Sequence, residues 1–319
     1  MRTLFNKKIL SMKEYDLYVT LSTFAEANPE PLEILKSSGL SFGVNKTGKR
    51  PLAEEVLREC GGASVLVAGV EEYDASILAR FYQEGLRCIS RCGVGTENID
   101  RVAAASMGIA VLNTPDEPVQ AVAEHTLSLM LALLRRLPEL DRDTKAGKWK
   151  RHTGNLLQGK IVGLVGYGKI GKKTHELLKP FGVRILIWDP FSAAELGVEK
   201  TDSLEQVLQI ADIISLHCPS NAIKMSSNEF ALMKPGSWLI NTARGDLIDD
   251  DSLHEALNSG RLAGAALDVY STEPYSGILL SNGKVILTPH QATLTKETRL
   301  AMELAAVKKA VSFIKNKII

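Results

Sequence analysis

From Lys160 to Pro289 the chain alternates short apolar runs with stretches of helical periodicity. The runs are Ile161–Val165, Val183–Trp188, Ile213–His217, Trp238–Asn241, Ala265–Val269 and Val285–Leu287, and each reads as a strand. Helical patterns such as Ser203–Ile210 and Asp250–Ser259 lie between them, the latter closed by Gly260. Strands separated by helices predict an α/β fold with a doubly wound parallel sheet. Right-handed crossovers then put every strand C-terminus on one edge, where ligands bind. The first half repeats the theme on a smaller scale. Tyr18–Thr20, Val65–Ala68, Arg87–Arg91 and Ala110–Leu112 read as strands, and Ala75–Tyr82 and Ile99–Ser106 as helices. They predict a smaller, flavodoxin-like α/β unit.

Two places look like hinges. Asn113-Thr-Pro115 begins a turn, and Pro118 opens a long helix over Val119–Leu137. That helix is apolar on nearly every side, which predicts burial by another domain or subunit. The second hinge is Thr288-Pro-His290. Beyond it a C-terminal helix places Leu300, Leu304, Val307, Val311 and Ile314 on one face, ready to fold back on the first unit. The expected division is a discontinuous domain of residues 1–113 and 291–319 around a domain of residues 114–290.

Composition narrows the function classes. A chain of 319 residues is about two domains long. A net charge of +1 gives no case for a nucleic-acid or membrane partner. The most apolar window, Thr126–Leu134, is too short to span a bilayer. The N-terminus lacks the order of a signal peptide. Cys60, Cys88, Cys92 and Cys218 are scattered and read as buried free thiols, so a reducing cytoplasm and no metal are expected.

The candidate chemistry begins at Gly166-Tyr-Gly168-Lys169-Ile170-Gly171, between the first apolar run and an amphipathic stretch. A strand–turn–helix with this glycine spacing is a dinucleotide-binding fingerprint. Gly166 serves the tight turn, Gly168 the approach of a pyrophosphate, and Gly171 close packing of helix on strand. The helix N-terminus offers N–H groups to the phosphates. Asp189 ends the next strand, where a carboxylate accepts from ribose hydroxyls and repels a 2′-phosphate. This predicts NAD as cofactor in preference to NADP.

Later strand ends supply Arg244, Glu273 and His290. Reduction of a ketone by hydride leaves charge on oxygen, so a proton must be delivered, and His290 is suited to that. Glu273 can bond the other ring nitrogen, and Arg244 can grip a carboxylate through two N–H groups. Each alone also has a plain structural reading as a loop residue. They gain weight from sharing one edge with the glycine motif. His125, His152, His175, His217 and His254 read as structural or surface residues. In the first unit, Arg91-Cys-Gly-Val94-Gly95 is either an anion-holding loop or an ordinary glycine-rich turn.

These motifs together resemble the D-isomer-specific 2-hydroxyacid dehydrogenases. The resemblance rests on Arg91–Asp100, Asn113-Thr-Pro115, Val122-Ala-Glu-His125, the glycine loop, Asn241-Thr-Ala-Arg-Gly245, Leu267-Asp-Val269, Glu273-Pro274 and Thr288-Pro-His290. It implies an enzyme transferring hydride between NAD and a D-2-hydroxy acid/2-oxo acid pair, with Arg244, Glu273 and His290 catalytic. It places Lys169, Ile170, Asp189, Cys218, Thr242, Ala243, Arg244 and Asp268 with the glycines beside NAD. Substrate is assigned to Arg91, Val94, Gly95, Arg244 and His290, in a cleft between a substrate domain and the NAD domain. A homodimer through the 119–137 region is also implied. The glycine loop is most similar to the phosphoglycerate dehydrogenase branch, and Arg91 stands where that branch has a phosphate contact. Ala68-Gly69-Val70 lacks a second basic residue, however, and Gln291-Ala-Thr-Leu-Thr295 replaces a glycine-containing turn. Two alternatives remain: a cofactor-sensing protein like the corepressors of this fold, and a formate or phosphite dehydrogenase relative.

Overall fold

The computed structural model describes residues 14–192 and 198–317. Residues 1–13, where the leader pattern was sought, lie outside the described residues. The chain divides into two compact units, one running to Pro118 and resuming at Thr295, the other Val119–Leu294.

The first unit has five parallel strands: β1 (Leu17–Val19), β2 (Phe42–Val44), β3 (Val65–Ala68), β4 (Cys88–Arg91) and β5 (Ala110–Leu112). Their order is β2-β1-β3-β4-β5, the flavodoxin-like arrangement. Its connections include α1 (Glu30–Ser37), α2 (Ala53–Glu59), α3 (Ala75–Gln83) and α4 (Arg101–Ser106). Asp74 and Asp100 cap α3 and α4 by accepting from Ile77 N and Ala103 N, each at 2.9 Å. Ile99, expected to open α4, instead bridges to Tyr73. The expectation omitted β2, α1 and α2, since three- to eight-residue elements carry too little periodicity to stand out.

One face of this sheet packs on Phe81, Leu78 and Val56. The other is covered by the C-terminal helix Lys296–Lys317, whose Met302, Ala306, Val307 and Ala310 join Leu17, Val65, Val67 and Cys88. The buried stripe is thus rotated from the expected one, and Leu300, Leu304 and Val311 are only half-buried. Small alanines let the helix approach the strands, and Ser90 Oγ donates to Ala306 O at 2.8 Å. The stripe also contains Glu303, which accepts from Ala25 N at 2.9 Å and from Arg299 at 2.7 Å. Burial pushes its carboxyl above the ordinary range.

The second unit has seven parallel strands: β6 (Ile161–Val165), β7 (Arg184–Trp188), β8 (Glu199–Thr201), β9 (Ile213–Leu216), β10 (Ser237–Asn241), β11 (Leu262–Leu267) and β12 (Val285–Leu287). The order β12-β11-β10-β9-β6-β7-β8 is that of dinucleotide-binding sheets, extended by one strand. The edge strand β8 reads Glu-Lys-Thr, which explains why no apolar pattern announced it. The expected helix to Leu137 is two helices, α5 (Val119–Arg135) and α6 (Leu137–Lys145). Arg136 between them has φ 54°, and Pro138 cannot donate to a continuing helical ladder. Ala123, Thr126, Met130 and Leu134 of α5 are buried within this unit. The remaining helices are α7 (Lys169–Leu178), α8 (Leu204–Ile210), α9 (Ser227–Leu232) and α10 (Asp250–Asn258). Among the described residues no helix is long and apolar enough to cross a membrane.

If the C-terminal helix completes the first unit's core, Met302→Ala should destabilise it by about 2–5 kcal/mol. A urea midpoint unchanged from the parent protein would contradict that placement.

Candidate active site

Register builds the site. Trp188, Val165, Leu216, Asn241, Leu267 and Leu287 form one continuous row of paired residues across β7, β6, β9, β10, β11 and β12. The residues that follow this row are Asp189, Gly166, His217 and Cys218, Thr242, Asp268, and Thr288. Arg244, Glu273 and His290 come three, six and three residues beyond it. Candidates far apart in sequence thus leave the sheet at one level.

At the centre, Gly166 has φ 99°, and a Cβ there would meet His217 C at 2.6 Å and Cys218 N at 2.7 Å. Any side chain would push β6 and β9 apart. A Cβ at Gly171 would lie 2.5 Å from Gly166 O, so α7 rests directly on the turn. At Gly168 a Cβ would meet nothing within 4 Å among the described residues. The backbone at the α7 N-terminus is therefore open to a phosphate. Lys169 and Ile170 form the first turn of α7.

Asp189 accepts from Tyr167 N at 2.6 Å, Phe191 N at 2.8 Å and Ser192 N at 3.0 Å. Partial burial pushes its carboxyl up, but these donations outweigh it and hold the group below the ordinary range. It stays ionised, and an acceptor site remains beyond the three used.

His290 Nδ1 lies 2.8 Å from Glu273 Oε2 and 3.0 Å from Oε1. The pair leaves Nε2 of the half-exposed ring for a substrate. Arg244 is set by its turn. Asn241 Oδ1 accepts from Ala243 N at 3.0 Å, and Asn241 Nδ2 donates to Arg244 O at 2.8 Å. Thr242 Oγ1 meets Thr126 Oγ1 of α5 at 2.8 Å. A Cβ at Gly245 would lie 1.9 Å from Tyr270 C and 2.3 Å from Ser271 N. This close backbone approach holds the Arg244 turn against the loop that carries Glu273.

His290 itself has φ 49°, a left-handed conformation that costs about 1–3 kcal/mol in a non-glycine residue. Asp268 holds it there. Its fully buried carboxylate accepts from Thr288 Oγ1 at 2.6 Å, Gln291 N at 2.9 Å and Ala292 N at 2.9 Å. His125 Nε2 is 3.4 Å from Asp268 Oδ1. Burial pushes the Asp268 carboxyl up, and the donations from His125, Thr288, Gln291 and Ala292 bring it below the ordinary range. Hydrogen bonds to a charged group contribute roughly 1.5–3 kcal/mol each, enough to exceed the strain at His290. Tyr270 adds a tie by donating to Thr288 O at 2.9 Å. Sequence reasoning placed Asp268 beside the cofactor; the bonds it makes here are to the turn on either side of His290.

In the first unit, Gly93 N donates to Thr114 Oγ1 at 2.7 Å and Asn113 Nδ2 to Val94 O at 2.7 Å. These bonds latch the loop to the end of β5. The N–H groups of Val94 and Gly95 donate no hydrogen bond among the described residues. Arg91 curls back onto its loop, with Nη1 on Cys92 O and against Gly93. Arg50, which sequence reasoning missed, reaches Val70 O from a distant segment and brings a cation to the loop that lacks one. Only the long-range contact reveals it.

Residues 127–292 match the D-isomer specific 2-hydroxyacid dehydrogenase family, NAD binding domain. The chain belongs to this family. The D-3-phosphoglycerate dehydrogenase of Archaeoglobus fulgidus is 35% identical over 299 residues, covering 90% of this chain and 56% of the relative. That of Methanocaldococcus jannaschii is 39% identical over 259 residues, covering 78% and 49%. The chain thus spans about half the length of the curated relatives it matches. Among solved structures, D-lactate dehydrogenase from Escherichia coli has a TM-score of 0.81 at 29% identity, with 94% of this chain and 97% of that chain covered. A glyoxylate reductase from Paecilomyes thermophila has 0.82 at 28%, with 92% and 94% covered.

Two histidines of this family member stand on the same edge in opposite environments. His217 is buried, bonded through Nε2 to Ser215 Oγ at 2.9 Å, and its Nδ1 has no partner among the described residues. Burial pushes it down to about 4, so it is neutral and cannot serve as the acid near pH 7. Cys218 beside it is pushed up to about 11 by burial and remains a thiol.

This neutral histidine has a cost in acid. Between its ordinary value of 6.5 and about 4, the unfolded chain takes up a proton that the folded one does not. Stability should therefore be lost as the pH is lowered from about 6.5 to about 4, by about 3 kcal/mol in all. His217→Asn should flatten the dependence. Urea midpoints at about pH 5 and pH 7 check it, and an equal slope in both proteins would refute the assignment.

Proposed function

We propose that this protein is an NAD-dependent D-2-hydroxyacid dehydrogenase interconverting a D-2-hydroxy acid and its 2-oxo acid. The observation that carries the reading is the 2.8 Å His290–Glu273 pair on the strand edge that also bears Arg244 and the glycine loop. The fit to a dinucleotide rests on the open backbone at Gly168 and the ionised Asp189. Gly166, Gly168, Lys169, Ile170, Gly171, Asp189, Cys218, Thr242, Ala243 and Arg244 would hold it, with Asp268 beside it setting the turn that carries His290. When bound, the cofactor accepts or supplies the hydride.

The chain's own groups do the rest. Arg244 grips the substrate carboxylate with two parallel N–H groups and polarises the adjacent carbonyl. His290 gives its Nε2 proton to the oxygen that gains charge during reduction and recovers one in oxidation. Glu273 on Nδ1 orients the ring and balances its positive charge. The N–H pair of Val94 and Gly95 forms an anion-binding nest for an acidic group of the substrate. Relatives named D-3-phosphoglycerate dehydrogenases, together with Arg91 and Arg50, favour a phosphorylated acid. Turnover of phosphohydroxypyruvate, hydroxypyruvate, glyoxylate and phenylpyruvate with NADH tests that choice. A homodimer through the 119–137 region belongs to this reading, supported by Leu137, 52% exposed at its end, and is checked by sedimentation equilibrium.

NAD should be used much better than NADP, because Asp189 repels a 2′-phosphate. Equal catalytic efficiency with the two would refute this, and Asp189→Ala should weaken NAD more than NADP. His290→Ala should lower turnover on the order of 10²–10⁴-fold. Arg244→Lys should impair both substrate binding and turnover, because an ammonium cannot reproduce a planar two-point grip. Near-normal rates for His290→Ala at saturating NADH would require another proton donor.

A further inference from the structure

One side-chain cluster stands apart from the strand-edge site. Glu139 and Asp143 lie four residues apart on α6, which puts both carboxylates on one helix face. His152, in the segment that leads to β6, brings its imidazole to that face. Its Nε2 is 3.4 Å from Glu139 Oε1 and 3.6 Å from Asp143 Oδ2. The three donor atoms all lie within 4.8 Å of one another. The His152 side chain is only 9% exposed, and its Nε2 is buried with no hydrogen-bond partner among the described residues.

The spacing separates two explanations. A ring N–H paired with a carboxylate makes a directed bond near the 2.8 Å seen at His290 and Glu273. His152 makes no such bond to either carboxylate, although both are close. An ion bound tetrahedrally at 2.0–2.2 Å sets its ligand atoms about 3.3–3.6 Å apart. Both distances from His152 Nε2 fall in or at the edge of that range. We propose that Glu139, Asp143 and His152 form a binding site for a zinc-class divalent cation.

The surroundings bear on which ion. Arg136 donates to Glu139 Oε2 from Nε at 2.7 Å, which leaves Oε1 facing the cluster. Arg142 Nε lies 3.9 Å from Asp143 Oδ1, which leaves Oδ2. The guanidiniums orient the carboxylates, and their charge weakens any purely electrostatic hold on a cation. An imidazole with two carboxylates favours zinc, cobalt or nickel over magnesium or calcium. Glu139, Arg136 and Arg142 also line a surface cavity of about 620 Å³. The scattered cysteines had argued against a metal, and this cluster uses none of them. The ion would staple the His152 segment to α6, next to the bond from Lys148 N to Asp143 O at 2.9 Å.

The test uses the full chain, freed of metal by chelator dialysis, with Co²⁺ and Zn²⁺ as probes. Wild type should bind about one Co²⁺ per chain with the visible absorption of a tetrahedral ion, and Zn²⁺ should raise its thermal midpoint. His152→Ala and Glu139→Gln should each bind at least ~10-fold more weakly and lose the thermal effect. Absence of saturable binding by wild type, or an affinity unchanged in either variant, would overturn the site. Glu139→Gln decides alone if His152→Ala does not fold by circular dichroism.

Discussion

Parallel strand register is the constraint on which the second unit depends. A parallel ladder packed on both faces fixes the alignment of each strand with its neighbours, because a slip of one residue moves every side chain to the opposite face and breaks the packing there. Here the alignment passes through Trp188, Val165, Leu216, Asn241, Leu267 and Leu287. Everything with chemical potential follows that row. The cofactor loop, the carboxylate at Asp189 and the catalytic candidates need no separate device to bring them to one edge.

What the row does not supply is fine orientation, and the buried polar groups do that. Asp268 is the centre of this arrangement. A carboxylate with no exposure is unfavourable unless donors surround it. Here those donors are the backbone and side chains of the turn that presents His290. The strained φ of His290 and the buried charge of Asp268 are thereby compensated by the same hydrogen bonds. Gly245 acts differently, through the absence of a side chain, by allowing one loop's backbone to press against another.

The same edge shows how environment divides roles between like residues. His217 and His290 both follow strands of one sheet. Burial keeps the first neutral, while the second is half-exposed and paired with Glu273. Asp189 and Asp268 differ in the same manner. Both are held ionised by backbone donors, but one keeps an acceptor position for a ligand and the other spends its capacity on the fold.

Six strands of the larger sheet, its glycine turn and the position of Arg244, Glu273 and His290 beyond its strand ends were legible in the sequence. Apolar runs and glycine spacing are local signals, and strand ends of a parallel sheet share an edge by topology. Membership of the family was legible for the same reason. The edge strands β2 and β8, the break at Arg136 and the rotated stripe of the C-terminal helix were not. Those depend on weak local preferences that packing overrides. The sequence also determined that Asp268 and His152 exist, but not what they do. Asp268 serves the turn because register places it beneath Thr288, Gln291 and Ala292. His152 faces two carboxylates because the segment after α6 doubles back across that helix. Such partners are set by distances between segments remote in the chain, which only the tertiary fold defines.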